Sequence, residues 1–324
     1  MQNNQLKNTE LRISKLGLGS VNFGTDTSAV DAELQLDAFL DMGGNLIDSA
    51  NVYGDWASDV PSISEKIIGD WLKKSGKRDK LIISTKGAHP SLDAMHIPRC
   101  SASDIKADLD ASLQNLRCDY IDLYFLHRDD VDMPVEVIID CLEDAVKQGK
   151  IRYYGCSNWS LARIMEAQAY AEKVNCTGFV CNQLMWSLAD INASGVHDKT
   201  LVLMDEKTYA YHKESGLGAM AYSAAAKGYF SKRFEGSKLS DKISERYLNP
   251  TNDRIYEELL RLNKESGISL NCLSLLYFVS QPFTSSALVS FSKLEQLKDC
   301  SAIFSENGQE VEALGRLKKF IHEG

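Results

Sequence analysis

Residues 44–54 have the sequence GNLIDSANVYG, in which a short apolar run ends at an acidic residue and a polar loop follows. The run at 45–47 has the composition expected of a short buried strand. Similar runs recur along the chain between longer amphipathic stretches. The eight strand-like runs are residues 15–18, 45–47, 81–84, 121–126, 152–155, 178–181, 217–221 and 287–289.

Helical patterns lie between these runs, at residues 29–42, 65–74, 103–116, 135–147, 161–172, 203–213, 254–264 and 270–279. Alternation of strands and helices implies an α/β fold with a parallel sheet and helical crossovers. Eight such units favour a closed (β/α)8 TIM barrel. No Pro/Gly/Ser-rich linker divides the chain, so we expect a single domain over residues 1–324. A last amphipathic pattern at 309–322 predicts a C-terminal helix packed on the barrel.

One segment resembles the fingerprint of a different fold, the doubly wound dinucleotide-binding fold. Residues 216–221 match its Gly-x-Gly-x-x-Ala pattern. That fingerprint must follow a strand and open a helix, whereas this segment follows a helix and enters a strand. We therefore predict that its glycines serve a helix C-cap and a turn.

Composition excludes several classes of function. The net charge of -9 argues against a general binder of nucleic acid or of anionic membranes, which needs a broad basic surface. No apolar run is long enough to span a bilayer or to form a signal core, which favours a cytoplasmic protein. The eight cysteines lack the spacing of metal ligands, so we expect free thiols and no metal site.

Three ionisable side chains stand where predicted strands end. Asp48 closes the strand at 45–47, Lys86 follows the one at 81–84, and His127 follows the one at 121–126. Tyr53 lies on the loop five residues after Asp48. Because the reacting groups of (β/α)8 enzymes lie at the ends of the strands, we expect these four side chains around one mouth of the barrel.

The segments that carry these residues resemble those of the aldo-keto reductase superfamily. Residues 44–54 resemble its Asp and Tyr signature, apart from Ser49 where Thr is commoner, and 84–86 and 123–128 resemble the segments with its Lys and His. The resemblance extends from residue 16 to about residue 300. It implies an NAD(P)H-dependent oxidoreductase that reduces an aldehyde or ketone, or oxidises the alcohol, with Tyr53 as the general acid/base.

The same resemblance implies a cofactor site. Its nicotinamide end is implied at Ser157, Asn158, Gln183, Tyr222 and Ser223, and its adenosine end at Arg233, Ser292, Lys293 and Gln296. The segment 227–233 carries three cations and, by resemblance, approaches the ribose 2′-phosphate. A dianion needs a nearby cation, so we expect NADP(H) to be preferred, with NAD(H) possible.

Elementary chemistry supports the same roles. An oxygen that gains negative charge by hydride addition needs a proton donor, and free tyrosine, with a pKa of about 10, is a weak acid. A lysine ammonium about 4 Å away favours tyrosinate by about 4 kcal/mol, which predicts a lowered pKa for Tyr53. Asp48 would keep Lys86 charged, and a neutral His127 would orient the substrate oxygen.

Three long loops, at residues 54–64, 87–102 and 184–198, are expected around the mouth. The candidate substrate residues are Trp56, His89, Arg128 and Trp186. Such a mixture of aromatic and polar side chains suits a small-molecule carbonyl or alcohol, such as a sugar or an aromatic aldehyde. The sequence leaves open the physiological direction of the reaction and the oligomeric state.

Two other functions remain open. Lys86 could form a Schiff base in a lyase, because lysines at strand ends of barrels do so in aldolases. Alternatively, the chain could bind the nicotinamide cofactor as a sensing subunit of an ion channel, with little turnover. Because such a protein would retain Asp48, Tyr53, Lys86 and His127, their presence does not exclude this function.

Overall fold

The computed structural model describes residues 1–304 and 315–317. Eight parallel strands form a closed barrel in the order β10, β3, β4, β5, β6, β7, β8, β9, and β1 and β2 form a separate antiparallel pair. The strands are β1 Asn3–Gln5, β2 Arg12–Ser14, β3 Leu16–Gly19, β4 Leu46–Asp48, β5 Ile82–Gly87, β6 Ile121–Leu126, β7 Ile151–Ser157, β8 Cys181–Met185, β9 Gly218–Tyr222 and β10 Ser285–Val289. The closed barrel confirms the predicted (β/α)8 fold.

Helices connect consecutive barrel strands and cover the outside of the barrel. They are α1 Ala29–Asp41, α2 Ile63–Ser75, α3 Ala102–Leu116, α4 Val135–Lys147, α5 Leu161–Lys173, α6 Glu206–Ser215, α7 Tyr229–Phe234, α8 Asp241–Tyr247, α9 Pro250–Ser266, α10 Leu270–Val279 and α11 Leu294–Ile303. Side chains of Ser28, Ser101, Ser160, Asp205 and Ser269 accept hydrogen bonds from backbone N–H groups in the first turns of α1, α3, α5, α6 and α10.

Successive side chains of the barrel strands point alternately into the barrel and out towards the helices, and almost all of them are buried. Inward-facing side chains such as Leu46, Leu123 and Phe125 fill the lower barrel, where they pack with Leu6, which follows β1, and with Ile13 of β2. The outward-facing side chains pack against the helices in a larger cluster. Because successive strand residues face opposite sides, Asp48 shares the inward face of Leu46, two residues later and nearer the mouth.

Two helices approach each other closely at Gly69. A Cβ atom built there would lie 2.1 Å from the backbone oxygen of Asn115 and 2.8 Å from the backbone carbon of Leu116. Since backbone atoms cannot move aside cheaply, only glycine allows α2 to pack this tightly on α3. This contact fixes the first half of α2, which begins directly after the Tyr53 loop.

Two further sequence predictions can be compared with the structure, and a third falls largely outside the described residues. Gly216 ends α6 in the left-handed conformation, with φ +72°, which confirms the predicted helix C-cap, and Gly218 is the first residue of β9. All eight cysteines are free thiols. The C-terminal helix predicted at 309–322 lies outside the described residues except for 315–317, where Leu317 is buried.

No helix in the described part of the chain combines the length and the apolarity needed to cross a bilayer. Within residues 1–304 and 315–317, no three potential ligands among His, Cys, Asp and Glu gather in a way that could hold a metal ion.

Candidate active site

Four ionisable side chains meet at the carboxyl end of the barrel. Asp48 is the last residue of β4, Lys86 is the penultimate residue of β5, and His127 directly follows β6. Tyr53 lies on the loop between β4 and α2. The barrel therefore brings together the four residues that the sequence analysis placed around one mouth.

An ion pair forms the floor of this site. Lys86 Nζ lies 2.7 Å from Asp48 Oδ2, and both side chains are buried. Asp48 Oδ1 also accepts hydrogen bonds from Ser84 Oγ and from Gln183 Nε2, each at 2.9 Å. Burial alone would lower the pKa of Lys86, but the Asp48 carboxylate outweighs it, and the pKa is raised. Lys86 is therefore an ammonium at neutral pH.

The hydroxyl of Tyr53 lies 3.0 Å from Lys86 Nζ. Burial raises the pKa of Tyr53, and Lys86 opposes that increase without reversing it. This direction corrects the lowered pKa expected from the sequence. The reason is that Asp48 offsets much of the Lys86 charge, while the loss of water around the hydroxyl penalises tyrosinate. Tyr53 is therefore protonated over the neutral range.

His127 is buried between other rings and cations. Its ring centre lies 6.0 Å from that of Tyr53 and 4.7 Å from that of His89, both in edge-to-face geometry. Burial lowers the pKa of His127 well below its usual value, and the charges of Lys86 and Arg128 add to that effect. His127 is therefore neutral, as expected from the sequence. Its Nδ1 is buried without a hydrogen-bond partner among the described residues.

A cavity of about 810 Å³ opens above these residues and continues towards β10 and α11. It lies within the range of roughly 300–1,000 Å³ that is usual for small-molecule and cofactor sites. Its lining includes Tyr53 and His127 at one end and Ser292 and Gln296 at the other. Between them lie Ser157, Asn158, Gln183, Tyr222 and Ser223, all of which the sequence analysis assigned to the nicotinamide end.

The side chains that the sequence analysis assigned to the nicotinamide end form a hydrogen-bonded network. Asn158 Nδ2 donates to Ser157 Oγ at 3.0 Å, and Asn158 Oδ1 accepts from the hydroxyl of Tyr222 at 2.5 Å. Asn158 adopts the left-handed conformation with φ +60°, which turns its side chain back onto Ser157 and the backbone oxygen of His127. These donors and acceptors match the needs of a carboxamide, and the Tyr222 ring provides a stacking surface beside them.

The cavity is lined at its far end by only part of the basic run at 227–233. Lys227 and Lys232 line the cavity, whereas Arg233 and Lys293 are not among the described residues that line it. Arg233 Nη1 is 2.7 Å from Asp253 Oδ1 and 2.9 Å from the hydroxyl of Tyr229, and its guanidinium stacks on the Tyr256 ring at 4.2 Å. These contacts hold Arg233 against α9.

Of the four candidate substrate residues, three lie near the catalytic residues and one, Trp186, does not. Trp56 lies edge-to-face on Tyr53 at 6.2 Å and is 52% exposed, His89 lies on His127, and Arg128 lines the cavity. Trp186 instead packs among Tyr209, Tyr277 and Phe283 beside a second cavity between α6 and α10. Trp186 is buried in that aromatic cluster because its ring turns outward from the end of β8.

Some lining residues were not recognised in the sequence. Asn22 and Asp26 follow β3, Asn271 is the second residue of α10, and all three line the cavity. None of them stands in a pattern that separates it from an ordinary loop or cap residue. Lys232 was recognised only as part of the basic run at 227–233, because spacing along the chain does not tell which cation of a short helix faces the cavity.

A sequence model of the aldo/keto reductase family matches residues 15–318, which include the whole barrel and the site just described. The chain belongs to the aldo/keto reductase family. Its membership confirms the resemblance noted in the sequence and makes it an oxidoreductase of that family, whose members generally use nicotinamide cofactors.

Two relatives show the range of proteins that share this architecture. An "Uncharacterized oxidoreductase YrpG" of Bacillus subtilis (strain 168) is 30% identical over 305 residues, covering 92% of this chain and 90% of the relative. A "Probable voltage-gated potassium channel subunit beta" of Oryza sativa subsp. japonica is 28% identical over 313 residues, covering 92% of this chain and 89% of the relative.

Proposed function

We propose that this aldo/keto reductase reduces an aldehyde or ketone, or oxidises the corresponding alcohol, with NAD(P)H and with Tyr53 as the general acid/base. The observation that carries the proposal is the chain of contacts at the cavity floor. Tyr53 Oη lies 3.0 Å from Lys86 Nζ, which lies 2.7 Å from Asp48 Oδ2. A tyrosine held by a paired lysine at a cavity wall is suited to give a proton to an oxygen in that cavity.

The lining residues fit a nicotinamide dinucleotide. Ser157, Asn158 and Gln183 supply donors and acceptors for its carboxamide, and Tyr222 supplies a ring surface. Ser292, Gln296 and Asn271 would hold the adenosine end. When bound, the reduced cofactor supplies the hydride for the carbonyl carbon.

Tyr53 supplies the proton, and Lys86 stabilises the charge that remains on Tyr53. Tyr53 is protonated at neutral pH, so the donor is in its active form before the reaction begins. As the substrate oxygen takes the proton, negative charge develops on Tyr53 Oη, directly beside the Lys86 ammonium. That charge pair stabilises the product state of the transfer more than the starting state. Asp48 keeps Lys86 charged and in place through its 2.7 Å contact.

His127 orients the substrate. A neutral imidazole can donate one hydrogen bond to the carbonyl oxygen without competing with Tyr53 for the proton. The burial of His127 and the nearby cations keep its pKa low, which preserves the neutral form. The oxygen is then held between His127 and Tyr53, whose rings are 6.0 Å apart.

We further propose that NADP(H) is preferred over NAD(H). Lys227 and Lys232 line the cavity near the adenosine end, and Arg246 and Lys242 add positive charge around Lys227. Burial and these neighbouring cations lower the pKa of Lys227. A 2′-phosphate dianion would relieve this repulsion, whereas a neutral 2′-hydroxyl would not.

Two alternatives are distinguished by experiment. A Schiff-base lyase needs an uncharged Lys86, but the pKa of Lys86 is raised by Asp48. Covalent trapping of a substrate on Lys86 by borohydride would favour that function. The relative named as a probable channel subunit supports a cofactor-binding regulator with little turnover. Tight cofactor binding without turnover of any carbonyl would favour that function.

The direct experiment follows cofactor oxidation with the purified full chain over aldehydes, ketoses, α-dicarbonyls and keto-steroids, with NADPH and NADH in parallel. We expect turnover of at least one carbonyl class, faster with NADPH at low cofactor concentration. No turnover in the presence of measured cofactor binding would contradict the proposed reductase.

A further inference from the structure

Arg128 places a fixed guanidinium in the wall of the catalytic cavity. It directly follows His127 in the chain, and its side chain is only 10% exposed. Its Nη1 donates to the backbone oxygen of His127 at 2.9 Å, and its Nε donates to Thr200 Oγ1 at 2.9 Å. These two contacts hold the guanidinium in one orientation beside the site of hydride transfer.

The charge of Arg128 acts on the reacting groups. It contributes to the low pKa of His127, and it also favours the ionised form of Tyr53. Arg128 lines the same cavity as His127 and Tyr53, so its charge faces the space in which both groups lie. The positive charge of Arg128 therefore contributes to the electrostatic potential inside the cavity.

Its ion pair is loose. The Asp198 carboxylate lies 3.5 Å from Arg128 Nη2, its side chain is 39% exposed, and its other oxygen is engaged by the hydroxyl of Thr200 at 2.6 Å. Lys86, by contrast, lies 2.7 Å from a buried Asp48. Asp26 also lines the cavity, but it is exposed, so that water screens its charge. Of the two buried cations Lys86 and Arg128, Arg128 thus has its charge less fully neutralised by a neighbouring carboxylate.

The guanidinium of Arg128 also keeps N–H donors that the contacts described above do not use. Arginine carries five N–H groups in a planar fork, and the three contacts described above leave two of its hydrogens available. That fork matches a carboxylate or phosphate better than any neutral group.

We propose that Arg128 binds an anionic group of the substrate, so that the enzyme prefers carbonyl compounds bearing a carboxylate or phosphate over neutral analogues. This inference rests on the proposed reductase function and names its substrate class. A carbonyl oxygen held by Tyr53 and His127 would place a neighbouring substituent towards Arg128, the next residue in the chain.

The test compares charged and neutral forms of the same carbonyl compound. The purified full chain is assayed with para-carboxybenzaldehyde and with pyruvate, each against its methyl ester, and kcat/KM is measured for all four. We expect each carboxylate to exceed its ester at least about tenfold, which corresponds to about 1.4 kcal/mol. In Arg128→Gln we expect this ratio to fall to about one, mainly through KM for the carboxylate.

Three variants separate charge from loop anchoring. Arg128→Lys keeps a cation and should keep part of the preference. Thr200→Val removes one of the two contacts that orient Arg128 without changing its charge, and it should keep part of the preference because the contact with the backbone oxygen of His127 remains. Lys199→Gln removes a cation that precedes Thr200 in the chain and lies outside the cavity lining, and it should leave the ratio unchanged. Loss of the preference in Lys199→Gln to the same extent as in Arg128→Gln would overturn the proposal.

The outcomes also separate this inference from the proposed function. Turnover of both forms with equal kcat/KM by the unaltered protein would overturn the role of Arg128 and leave the reductase function standing. Turnover of neither form, with cofactor binding intact, would contradict both.

Discussion

The Nζ atom of Lys86 lies 3.0 Å from the hydroxyl oxygen of Tyr53 and 4.6 Å from the centre of its ring. The ammonium therefore contacts the tyrosine both at its oxygen and over its face. In this position it stabilises tyrosinate without removing the proton beforehand, because burial keeps the pKa of Tyr53 raised. In the proposed reaction, Tyr53 would therefore donate the proton and Lys86 would stabilise the tyrosinate that results.

Replacing Lys86 by Met should slow the reaction and raise the apparent acid pKa in the pH dependence of kcat. The change removes the cation that opposes the effect of burial on Tyr53. The slower rate alone would be ambiguous, so the pH profile of the residual activity is the measurement. An unchanged profile shape in an active variant would remove Lys86 from its role.

The reductase should work at a nearly constant kcat/KM between about pH 6 and pH 9. His127 is neutral throughout because its pKa lies well below the usual value, and Tyr53 is protonated throughout because its pKa is raised. The pH profile of kcat/KM with a neutral substrate checks this. An inflection near the ordinary histidine pKa, abolished in His127→Gln, would contradict the neutral assignment.

Lys232→Gln should weaken NADPH binding by about tenfold or more and change NADH binding little. One charge-assisted contact to a phosphate contributes roughly 1.5–3 kcal/mol. Arg233→Gln is the matched control, because Arg233 is engaged by Asp253 and Tyr229 and should affect NADPH less. Dissociation constants for both cofactors are measured by fluorescence quenching. A larger effect at Arg233 than at Lys232 would contradict this role of Lys232 and favour Arg233, which the sequence analysis assigned to the adenosine end.

Glu65→Ala should lower the free energy of unfolding by about 2–4 kcal/mol, because it leaves buried donors without an acceptor. Glu65 is fully buried, and its carboxylate accepts from Thr85 Oγ1 at 2.6 Å and from Asn115 Nδ2 at 3.0 Å. Glu65→Gln fills the same space and should cost less than half as much. Denaturant unfolding of the three proteins measures the difference.

Glu65 also makes the free energy of unfolding depend on pH, and the direction of that dependence follows from its raised pKa. Burial raises the pKa of Glu65 in the folded protein above its unfolded value, so the folded state favours the neutral form. Its contribution to stability is largest below the unfolded pKa of about 4.3 and declines as the pH rises towards the folded pKa. The unaltered protein should therefore lose stability relative to Glu65→Gln over that interval. Parallel profiles would show that Glu65 does not titrate differently in the two states.

Most of the barrel could be predicted because each strand is a short apolar run between helical patterns. The run at 178–181 shows the limit, since β8 is Cys181–Met185 and shares only one residue with it. The polar side chains of Asn182 and Gln183 interrupt the apolar pattern within this strand, and of the two only Gln183 is among the described residues that line the cavity. The short helices α7 and α8 and the N-terminal strand pair were missed, because elements of so few residues carry little periodic signal.

The positions of Asp48, Lys86 and His127 could be predicted because strand ends fix where inward-facing side chains lie, whereas Tyr53 lies on a loop and was assigned through the family resemblance. The direction of long side chains on loops could not be predicted. Arg233 and Lys232 are neighbours in the chain, yet one binds Asp253 on α9 and the other lines the cavity. The pKa of Tyr53 was misjudged for a related reason, because the depth of burial follows from packing and not from the spacing of residues.

The most direct test of the central claim is the turnover of Tyr53→Phe beside the unaltered protein, with the best carbonyl substrate and with cofactor affinity measured in parallel. The substitution removes one hydroxyl, the proposed proton donor, and keeps the ring that packs on Trp56 and His127. We predict that kcat falls by about 100-fold or more while the dissociation constant of the reduced cofactor stays nearly unchanged. Near-normal turnover of Tyr53→Phe would contradict the assignment of Tyr53 as the general acid/base.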